Sequence, residues 1–537
     1  MNQTSNGRKA LFDIHAPVFY PAAIIILIFI SLTLIIGKPM EQFFVQAQNG
    51  ISNSTGWFLV LAVNIFVAFC IYLAFSRFGA IRLGGQQARP DFSTFAWFAM
   101  LFSAGMGIGL LFFSVAEPIS HFTNPPGGVA SDVSDIDRAR NAMRYTFLHY
   151  GLHAWGIYAL VGLALAFFTF NWKLPLSIRS VLYPLLGDRI YGPIGHFIDV
   201  VAVVATLFGL ATSLGFGAQQ INSGLSYLTG LPNTLWVQVV LIGIITGAAT
   251  ISVVLGLDKG VRVLSELNMR LAMVFLIAMI LIGPTIFLFD GFVQNTGTYL
   301  QKLLEVSTWT EAYTGQSWQN SWTVVYWAWW ISWSPFVGMF IARVSRGRTI
   351  RQFVLGVLLV PSLLSFLWMS VFGNSALHLE LNDIGNIGQA VEENISTALF
   401  VMLDQYPWAS VTSVIGILLV TSFFVTSSDS GSLVIDSITS GGKLDAPVGQ
   451  RIFWALAEGA VAATLLIGGG LRALQTAAIA TGLPFCIILI VMCFGLYKGL
   501  EKEDREMQKR LRAREEESYK EVLADLITKS RQKSQEQ

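Results

Sequence analysis

WTVVYWAWWISWSPFVGMFIARVSRGR, residues Trp322–Arg348, is a hydrophobic run rich in tryptophan that ends in a cluster of arginines. Trp327, Trp330 and Trp333 recur every third residue, so on a helix they lie on or near one face. A desolvated cation over an aromatic face gains about 2 kcal/mol or more of interaction energy. Several rings around one site can therefore hold a quaternary ammonium group without an acidic side chain. The competing interpretation is a tryptophan belt that anchors a helix at the membrane interface.

Pro335 lies in the middle of the same run and favours a binding site over an anchor. Proline removes a backbone hydrogen bond from a helix. Within a bilayer, a broken helix persists only where the freed polar groups line a cavity or find new partners. We therefore expect this helix to be interrupted near Pro335.

Composition places the chain in a membrane. Of its 537 residues, 54% are hydrophobic and only 12% are charged, with a mean hydropathy of +0.60. The net charge is +1, and no basic patch interleaves with aromatic residues outside the apolar runs, so nucleic acid is not an expected partner. No nucleophile–base pair, metal cluster or phosphate loop falls at the end of an apolar run, so we expect no enzyme.

Twelve apolar runs are long enough to be membrane spans. They are Val18–Ile36, Phe58–Phe75, Thr94–Ser120, Tyr145–Phe170, Ile194–Leu225, Leu235–Leu257, Leu271–Phe289, Thr323–Ala342, Phe353–Phe372, Val411–Ile435, Ile452–Ile467 and Ala478–Tyr497. An even number of spans puts both termini on one side. The division between the last two spans depends on the turn GGGLRAL.

The charges of the loops indicate which side that is. Basic residues follow spans two, four, six and eight: Arg77, Arg82, Arg89; Lys173, Arg179, Arg189; Lys259, Arg262, Arg270; and Arg343, Arg346, Arg348, Arg351. The opposite loops are longer and poorer in lysine and arginine. By the positive-inside rule we expect cytoplasmic termini. From Leu500 onward the chain is highly charged, which is typical of a solvated helix.

A second unusual run is SAGMGIG, residues Ser103–Gly109, in span three. Each glycine costs about 1 kcal/mol relative to alanine inside a helix, so three at alternate positions favour an unwound segment. The alternative is close helix packing through Gly105 and Gly109, which are four residues apart. Spans three and eight are five apart, and interrupted helices in that arrangement are typical of an inverted-repeat transporter that holds its substrate between the breaks.

The sequence resembles the betaine/choline/carnitine transporter family over essentially all twelve spans. The motifs that carry the resemblance are YWAWWISWSPFVGMFIARVSRGR in span eight, GMGIGLLFFSVAEP in span three and HYGLHAWGIY in span four. The resemblance implies an all-α, leucine-transporter-type fold of two inverted five-helix repeats preceded by two extra helices. It also implies a homotrimer in the bacterial inner membrane that moves trimethylammonium-type substrates by alternating access.

These expectations divide the chain into five regions. They are a tail with two accessory spans (1–93), a first repeat (94–290), a periplasmic loop with an amphipathic helix (291–322), a second repeat (323–499) and a charged cytoplasmic helical tail (500–537).

The resemblance also implies a substrate site. Its residues are Trp155, Tyr158, Trp330 and Trp333 as an aromatic box, Tyr150 where some betaine carriers have tryptophan, Trp327 on the access path, and Gly105, Gly107 and Gly109 as backbone donors for a carboxylate. Trp155 and Tyr158 are three residues apart and share a helical face independently of the resemblance. Relatives that carry choline tend to have Asp where this chain has Gly109, which argues for a zwitterion. Dimethylsulfoniopropionate, another onium zwitterion, remains open beside glycine betaine.

Two sodium positions follow from the same resemblance. The first combines carbonyls of Ser103, Met106 and Phe423 with hydroxyls of Thr426 and Ser427, and the second uses Thr206 and Phe336. Hydroxyl and carbonyl oxygens suit a hard cation, whereas helix–helix hydrogen bonding is the alternative role of such hydroxyls. Leu210 stands where the second position has another threonine, which leaves the sodium stoichiometry open.

The resulting prediction is sodium-driven import of glycine betaine or a similar zwitterion, with membrane lipid around it and no cofactor besides the coupling ion. The alternatives within the family are a sodium-independent exchanger and a proton-coupled choline or carnitine carrier. Exchangers place an arginine from span seven in the sodium position, and Arg270 lies one residue from the equivalent Met269. Glu117, His153, Asp199, Asp429 and Glu458 are further ionisable candidates inside the spans.

Overall fold

The computed structural model describes residues 12–105, 107–128, 133–255, 262–313, 317–443 and 447–535. Within these ranges the regular structure is helical. The helices are α1 (Ala16–Ile36), α2 (Pro39–Phe75), α3 (Thr94–Gly105), α4 (Ile108–Thr123), α5 (Asp135–Tyr150), α6 (Leu152–Phe170), α7 (Tyr183–Leu186), α8 (Pro193–Thr229), α9 (Leu235–Leu255), α10 (Arg262–Ile282), α11 (Thr285–Ser307), α12 (Trp318–Ser321), α13 (Thr323–Val344), α14 (Ile350–Leu381), α15 (Ile387–Glu393), α16 (Ala398–Asp404), α17 (Ala409–Thr439) and α18 (Val448–Gln535).

Ten helical stretches of the described chain are long and apolar enough to cross a membrane. One of them, Val448–Ala524, contains both of the last two predicted spans, because α18 runs through a kink at Gly469 and Gly470. That kink falls in the predicted GGGLRAL turn. The chain is therefore a multi-pass membrane protein by helix length and composition.

The predicted break in span three is confirmed. α3 ends at Gly105 and α4 begins at Ile108, while Gly107 has extended backbone angles (φ −147°, ψ −177°) at the helix start. Met106 lies outside the described residues. The three glycines therefore divide this span into two half-helices, as their poor helix propensity predicts.

The predicted interruption at Pro335 is wrong, since α13 is continuous from Thr323 to Val344. Pro335 has no N–H to offer the carbonyl of Ile331, four residues earlier. The hydroxyl of Ser334 donates to that carbonyl instead, at 2.7 Å. A neighbouring side chain thus satisfies the group that proline leaves unpaired, and the helix persists.

A break that the sequence did not predict divides span four between α5 and α6 at Gly151. A Cβ there would lie 2.5 Å from the carbonyl oxygen of Phe147 and 2.9 Å from the hydroxyl of Tyr299. That hydroxyl accepts a hydrogen bond from the first amide of α6, at Leu152 (3.2 Å). Close packing of α11 against the glycine therefore accompanies the break.

Span seven also differs from its prediction. The sequence places it at Leu271–Phe289, whereas α10 ends at Ile282 and a new helix, α11, starts at Thr285. Gly283 and Pro284 separate the two helices. α11 therefore begins before residues 291–322, the region in which the sequence predicts an amphipathic helix, and ends inside that region at Ser307.

Candidate functional site

Four predicted rings form a continuous contact between α5, α6 and α13. The ring centroids of Trp155 and Tyr158 are 5.6 Å apart, those of Tyr158 and Trp330 are 6.0 Å apart, and those of Tyr150 and Trp330 are 5.5 Å apart. All three pairs meet edge to face, which is a favourable arrangement of aromatic quadrupoles. The four side chains are buried.

Backbone acceptors fix the orientation of two indoles. Trp330 donates its Nε1–H to the carbonyl of His149 at 2.8 Å, and Trp333 donates to the carbonyl of Gly209 at 2.9 Å. The Tyr158 hydroxyl is buried and has no hydrogen-bond partner within the described chain. Since a buried polar group without a partner costs free energy, this hydroxyl is available to a ligand.

The glycines of the helix break lie against tryptophans of α13. A Cβ at Gly107 would lie 3.1 Å from Cη2 of Trp333, and one at Gly109 would lie only 2.4 Å from Cη2 of Trp329. Gly105, the third predicted glycine, is the last residue of α3. The absence of side chains at Gly107 and Gly109 therefore lets α13 approach the broken span closely.

Trp327 has different neighbours from the other predicted rings. It stacks on His153 with centroids 5.6 Å apart and meets the edge of His149 at 5.8 Å. Its relative exposure is 0%, and its place on the access path stays a prediction.

Trp329 is a residue that the sequence reasoning missed. It stacks on Trp330, with centroids 5.0 Å apart and planes inclined by 10°, and its Nε1–H donates to the hydroxyl of Ser213 at 3.2 Å. Its contact with Gly109 puts it directly beside the helix break. The sequence reasoning followed the tryptophans that recur every third residue and so passed over Trp329, although it lies four residues before Trp333, a spacing that also shares a helical face.

A buried polar network connects Tyr150 to α4, the second half of span three. Glu117 contacts His149 (2.6 Å) and His121 (3.1 Å) through Oε1, and Tyr326 donates to Oε2. The Tyr326 hydroxyl lies 3.3 Å from that of Tyr150. Glutamate and histidine are also metal ligands, and the three ligand atoms lie within 4.8 Å of one another. Because hydrogen bonds already join them, we assign this cluster to the network.

The first predicted sodium position contains one residue that the sequence did not suggest. Asn268, on α10, donates its Nδ2–H to the hydroxyl of Thr426 at 2.9 Å, and Asn268 Oδ1 is buried without a partner in the described chain. Ser427 and Phe423 are buried on the same stretch of α17. Met106 is outside the described residues, as is the side chain of Ser103, so the carbonyl set proposed from span three stays a prediction.

Arg270 is turned away from this position. Its side chain is 78% exposed and lies 3.7 Å from Glu266, one helical turn earlier. Asn268, two residues before it, is the residue of α10 that contacts Thr426. An arginine in the sodium position, as an exchanger of this type would have, therefore finds no support in the structure.

The second predicted sodium position has the hydroxyl of Thr206 but lacks the second threonine hydroxyl that the family pattern places there. Thr206 donates to the carbonyl of Ala202 at 2.7 Å, and Phe336 meets Trp333 edge to face at 5.5 Å. Leu210 is fully buried, and a Cβ at Gly431 would lie 2.2 Å from its Cδ1. Leu210 thus packs against α17 at the position where the family pattern has a second threonine.

The chain is similar to known proteins over nearly its whole length. Residues 17–505 match the family model described as BCCT, betaine/carnitine/choline family transporter. The chain is 48% identical over 507 residues to a glycine betaine/proline/choline transporter of Vibrio parahaemolyticus, covering 92% of this chain and 91% of the relative. It is 47% identical over 498 residues to a glycine betaine transporter of Acinetobacter baylyi (92% and 75%) and 48% identical over 467 residues to the glycine betaine transporter OpuD of Bacillus subtilis (86% and 90%).

Proposed function

Because the chain belongs to the betaine/carnitine/choline transporter family, we propose that it imports glycine betaine, or a similar onium zwitterion such as dimethylsulfoniopropionate, by sodium symport. The family and the relatives described above are transporters, which confirms the prediction that the chain is not an enzyme.

The observation that carries this proposal is the continuous contact of Trp155, Tyr158, Trp330 and Tyr150. A trimethylammonium group has no N–H to donate, so an acidic side chain gives it no hydrogen bond, whereas ring faces attract its spread charge. Trp329 stacks on Trp330 and extends the aromatic surface to Gly109 at the helix break. Trp333, the other predicted ring, lies against Gly107, and its ring contact in the described chain is with Phe336. We assign the onium head to these rings.

The carboxylate of the substrate needs donors close to the rings. The backbone at Gly107 and Gly109 begins α4, and the first amides of a helix carry a partial positive charge. The hydroxyl of Tyr158 is a second donor without a protein partner in the described residues. A zwitterion thus has its head among rings and its carboxylate at the start of α4, an arrangement of the kind found at broken helices in transporters.

Coupling to sodium rests on the oxygen atoms around Thr426. Helix α17 contributes the hydroxyls of Thr426 and Ser427 and the carbonyl of Phe423. Span three would contribute the carbonyl oxygens of Ser103 and Met106. Asn268 Oδ1 adds an oxygen that lacks a protein partner within the described ranges. Such oxygens suit a hard cation. With Leu210 at the second position, we propose one sodium ion per substrate, bound at Thr426.

The finer architecture is also part of the proposal. We propose twelve spans, with two accessory helices before two inverted five-helix repeats, and divisions at residues 93, 322 and 499. The first repeat ends at Ile282 in this proposal, because α11 runs from Thr285 to Ser307 across the predicted division at 290. The broken span formed by α3 and α4 supports a transporter core of this kind. The homotrimer, the bacterial inner membrane and the cytoplasmic termini are proposed from the resemblance and the loop charges.

Uptake by the purified protein in proteoliposomes tests the function. Labelled glycine betaine should accumulate under an inward sodium gradient and not under a matched potassium gradient, and a protonophore should leave the sodium-driven uptake unchanged. Unlabelled choline, carnitine and dimethylsulfoniopropionate then compete in turn, and we expect the zwitterionic compounds to compete better than choline. Equal accumulation with sodium and potassium would overturn the coupling, and stronger competition by choline would overturn the substrate class.

A further inference from the structure

An apolar groove of about 560 Å³ lies between α1, α8 and α18. Its lining includes Ile25 of α1, His196 and Phe197 of α8, and Ala480 and Thr481 of α18. Ile25 is 43% exposed and Phe197 is 65% exposed, so the groove opens at the side of the molecule. In a multi-pass membrane protein that side faces lipid, and an apolar groove there suits an acyl chain.

The groove has one titratable group, His196, which belongs to a cluster of nitrogens. Its Nδ1 lies 3.2 Å from Nε2 of His15 and 3.4 Å from Nη1 of Arg179, and His15 Nε2 lies 3.3 Å from the same Nη1. Arg179 is paired through Nε with Asp199 at 3.3 Å, so one carboxylate balances one guanidinium. His15 and His196 are partly exposed in front of the buried Arg179.

Among the residues that the structure describes, no carboxylate pairs with either imidazole. Burial, Arg179 and His196 lower the pKa of His15, because each disfavours its charged form. An anion placed against the exposed edges of the rings would favour the charged imidazoles and so raise the pKa of His15. A phosphate group has the charge and the acceptor oxygens for this position.

Exposed aromatic residues indicate that the cluster lies at the level of lipid headgroups. Tyr20 is 53% exposed and Tyr191 is 48% exposed, and the guanidinium of Arg179 lies 5.9 Å from the ring centroid of Tyr191. Tyrosine is enriched at membrane–water interfaces. The predicted cytoplasmic loop from Lys173 to Arg189 lies at this end, and the cytoplasmic leaflet is the one rich in anionic lipid.

We propose that the groove is a binding site for an anionic phospholipid, with an acyl chain along α1, α8 and α18 and the phosphate against His15 and His196. Arg179 lies behind the two imidazoles and adds positive potential. The site is separate from the aromatic box, and lipid binding there does not depend on which solute the protein carries.

The groove is nevertheless connected to the box. The hydroxyl of Thr481, which lines the groove, lies 3.4 Å from that of Ser332, the residue before Trp333. Trp333 in turn donates to the carbonyl of Gly209 on α8, the helix that forms the opposite wall. A bound acyl chain therefore contacts two helices that hold Trp333, and its occupancy should alter transport.

Native mass spectrometry of the purified full-length protein, titrated with phosphatidylglycerol and with phosphatidylcholine, tests the proposal. We expect the wild type to retain phosphatidylglycerol with about fivefold or greater preference, as basic groups at a lipid surface give. Ala480→Trp, which fills the groove, should lower retention of both lipids. His15→Ala combined with His196→Ala should abolish the preference while an acyl chain still binds.

Ile244→Trp is the matched control, because Ile244 is 64% exposed on α9 and does not line the groove. It should bind lipid like the wild type, and thermal unfolding in detergent checks that each variant is folded. Equal retention of the two lipids by the wild type, or undiminished retention by folded Ala480→Trp, would overturn the proposal. Inorganic phosphate should not raise the melting temperature, and a rise equal to that given by phosphatidylglycerol would show that a free anion is the ligand instead.

Discussion

The hydroxyl of Tyr150 donates a hydrogen bond to the carbonyl of Gly109 across 3.0 Å, joining the end of α5 to the first turn of α4. The same ring meets Trp330 edge to face, so one side chain contacts both the aromatic box and the helix break. Tyr150 also ends the half of span four that precedes Gly151. The position of the box relative to the backbone donors at the break therefore depends on this bond.

Tyr150→Phe keeps the ring and removes the hydroxyl. A hydrogen bond of this type contributes about 1 kcal/mol, so we expect the KM for betaine to rise about fivefold with a smaller change in maximal rate. Tyr406→Phe is the control, since Tyr406 donates a similar bond to the carbonyl of Ser375 in another part of the fold (3.1 Å). Betaine uptake kinetics in proteoliposomes give the KM and the maximal rate of both variants. An unchanged KM for Tyr150→Phe would show that the bond does not position the site.

Trp330 distinguishes cation–π binding from simple burial. Trp330→Leu removes the aromatic face and should weaken binding by about 2 kcal/mol, or about 30-fold, whereas Trp330→Phe should lose less. Trp368→Leu is the control for the loss of a large buried indole, because Trp368 is 1% exposed and packs on Phe275 and Phe372 instead. Tryptophan fluorescence or calorimetric titration with betaine gives the affinities. Equal losses for leucine and phenylalanine at position 330 would contradict a quadrupole contribution.

Gly107 and Gly109 should differ in their tolerance of a methyl group. Gly109→Ala puts a Cβ 2.4 Å from Trp329, whose ring is held by stacking on Trp330, so we expect transport to fall by an order of magnitude or more. At Gly107 the nearest atom is 3.1 Å away and belongs to Trp333, so Gly107→Ala should be milder. Initial rates at equal membrane expression test the order. The reverse order would mean that the indoles do not limit the space at the break.

Local sequence chemistry predicted some of these features and not others. Alternating glycines disfavour a helix whatever surrounds them, so the break before Ile108 was predictable. The continuity of α13 was not, because it depends on the hydroxyl of Ser334 turning back to the carbonyl of Ile331. The break at Gly151 depends on Tyr299 of a distant helix, which a lone glycine does not reveal.

The site shows the same limit. Trp155 and Tyr158 were predictable as neighbours, because residues three apart share a helical face. Asn268 was not, since it and Thr426 are 158 positions apart in the sequence and lie on different helices, α10 and α17. Spacing along one helix is visible in a sequence, whereas the partner contributed by another helix is set by packing.

Asn268 and Thr426 should act together on sodium. Thr426→Val removes an oxygen of the proposed sodium site, and Asn268→Ala removes the side chain that contacts it. Each should therefore raise the half-saturating sodium concentration about tenfold while betaine KM at saturating sodium changes little. Thr421→Val is the control, because among the described residues the Thr421 hydroxyl bonds to the carbonyl of Ile417 in its own helix, α17 (2.7 Å), and to no other group. Sodium titration of betaine uptake measures the effect. An unaltered sodium dependence in Asn268→Ala would remove its side-chain oxygen from the proposed site.

The start of the charged tail should matter for stability, and its end should not. Glu503 accepts a hydrogen bond from Nε1 of Trp172 (3.3 Å), and Asp504, which is buried, lies 3.4 Å from Nε of Arg77. Beyond them Tyr519 is 72% exposed and Leu526 is 58% exposed.

A chain that stops after Leu500 loses both contacts, and we expect its melting temperature in detergent to fall by about 2 °C or more, the shift that a loss of roughly 1 kcal/mol gives in a large domain. A chain that stops after Lys509 keeps them and should melt like the full-length protein. Thermal unfolding of the two truncations beside the intact chain separates the contributions. If both truncations melted at the same lowered temperature, the distal helix rather than Glu503 and Asp504 would be the stabilising part of the tail.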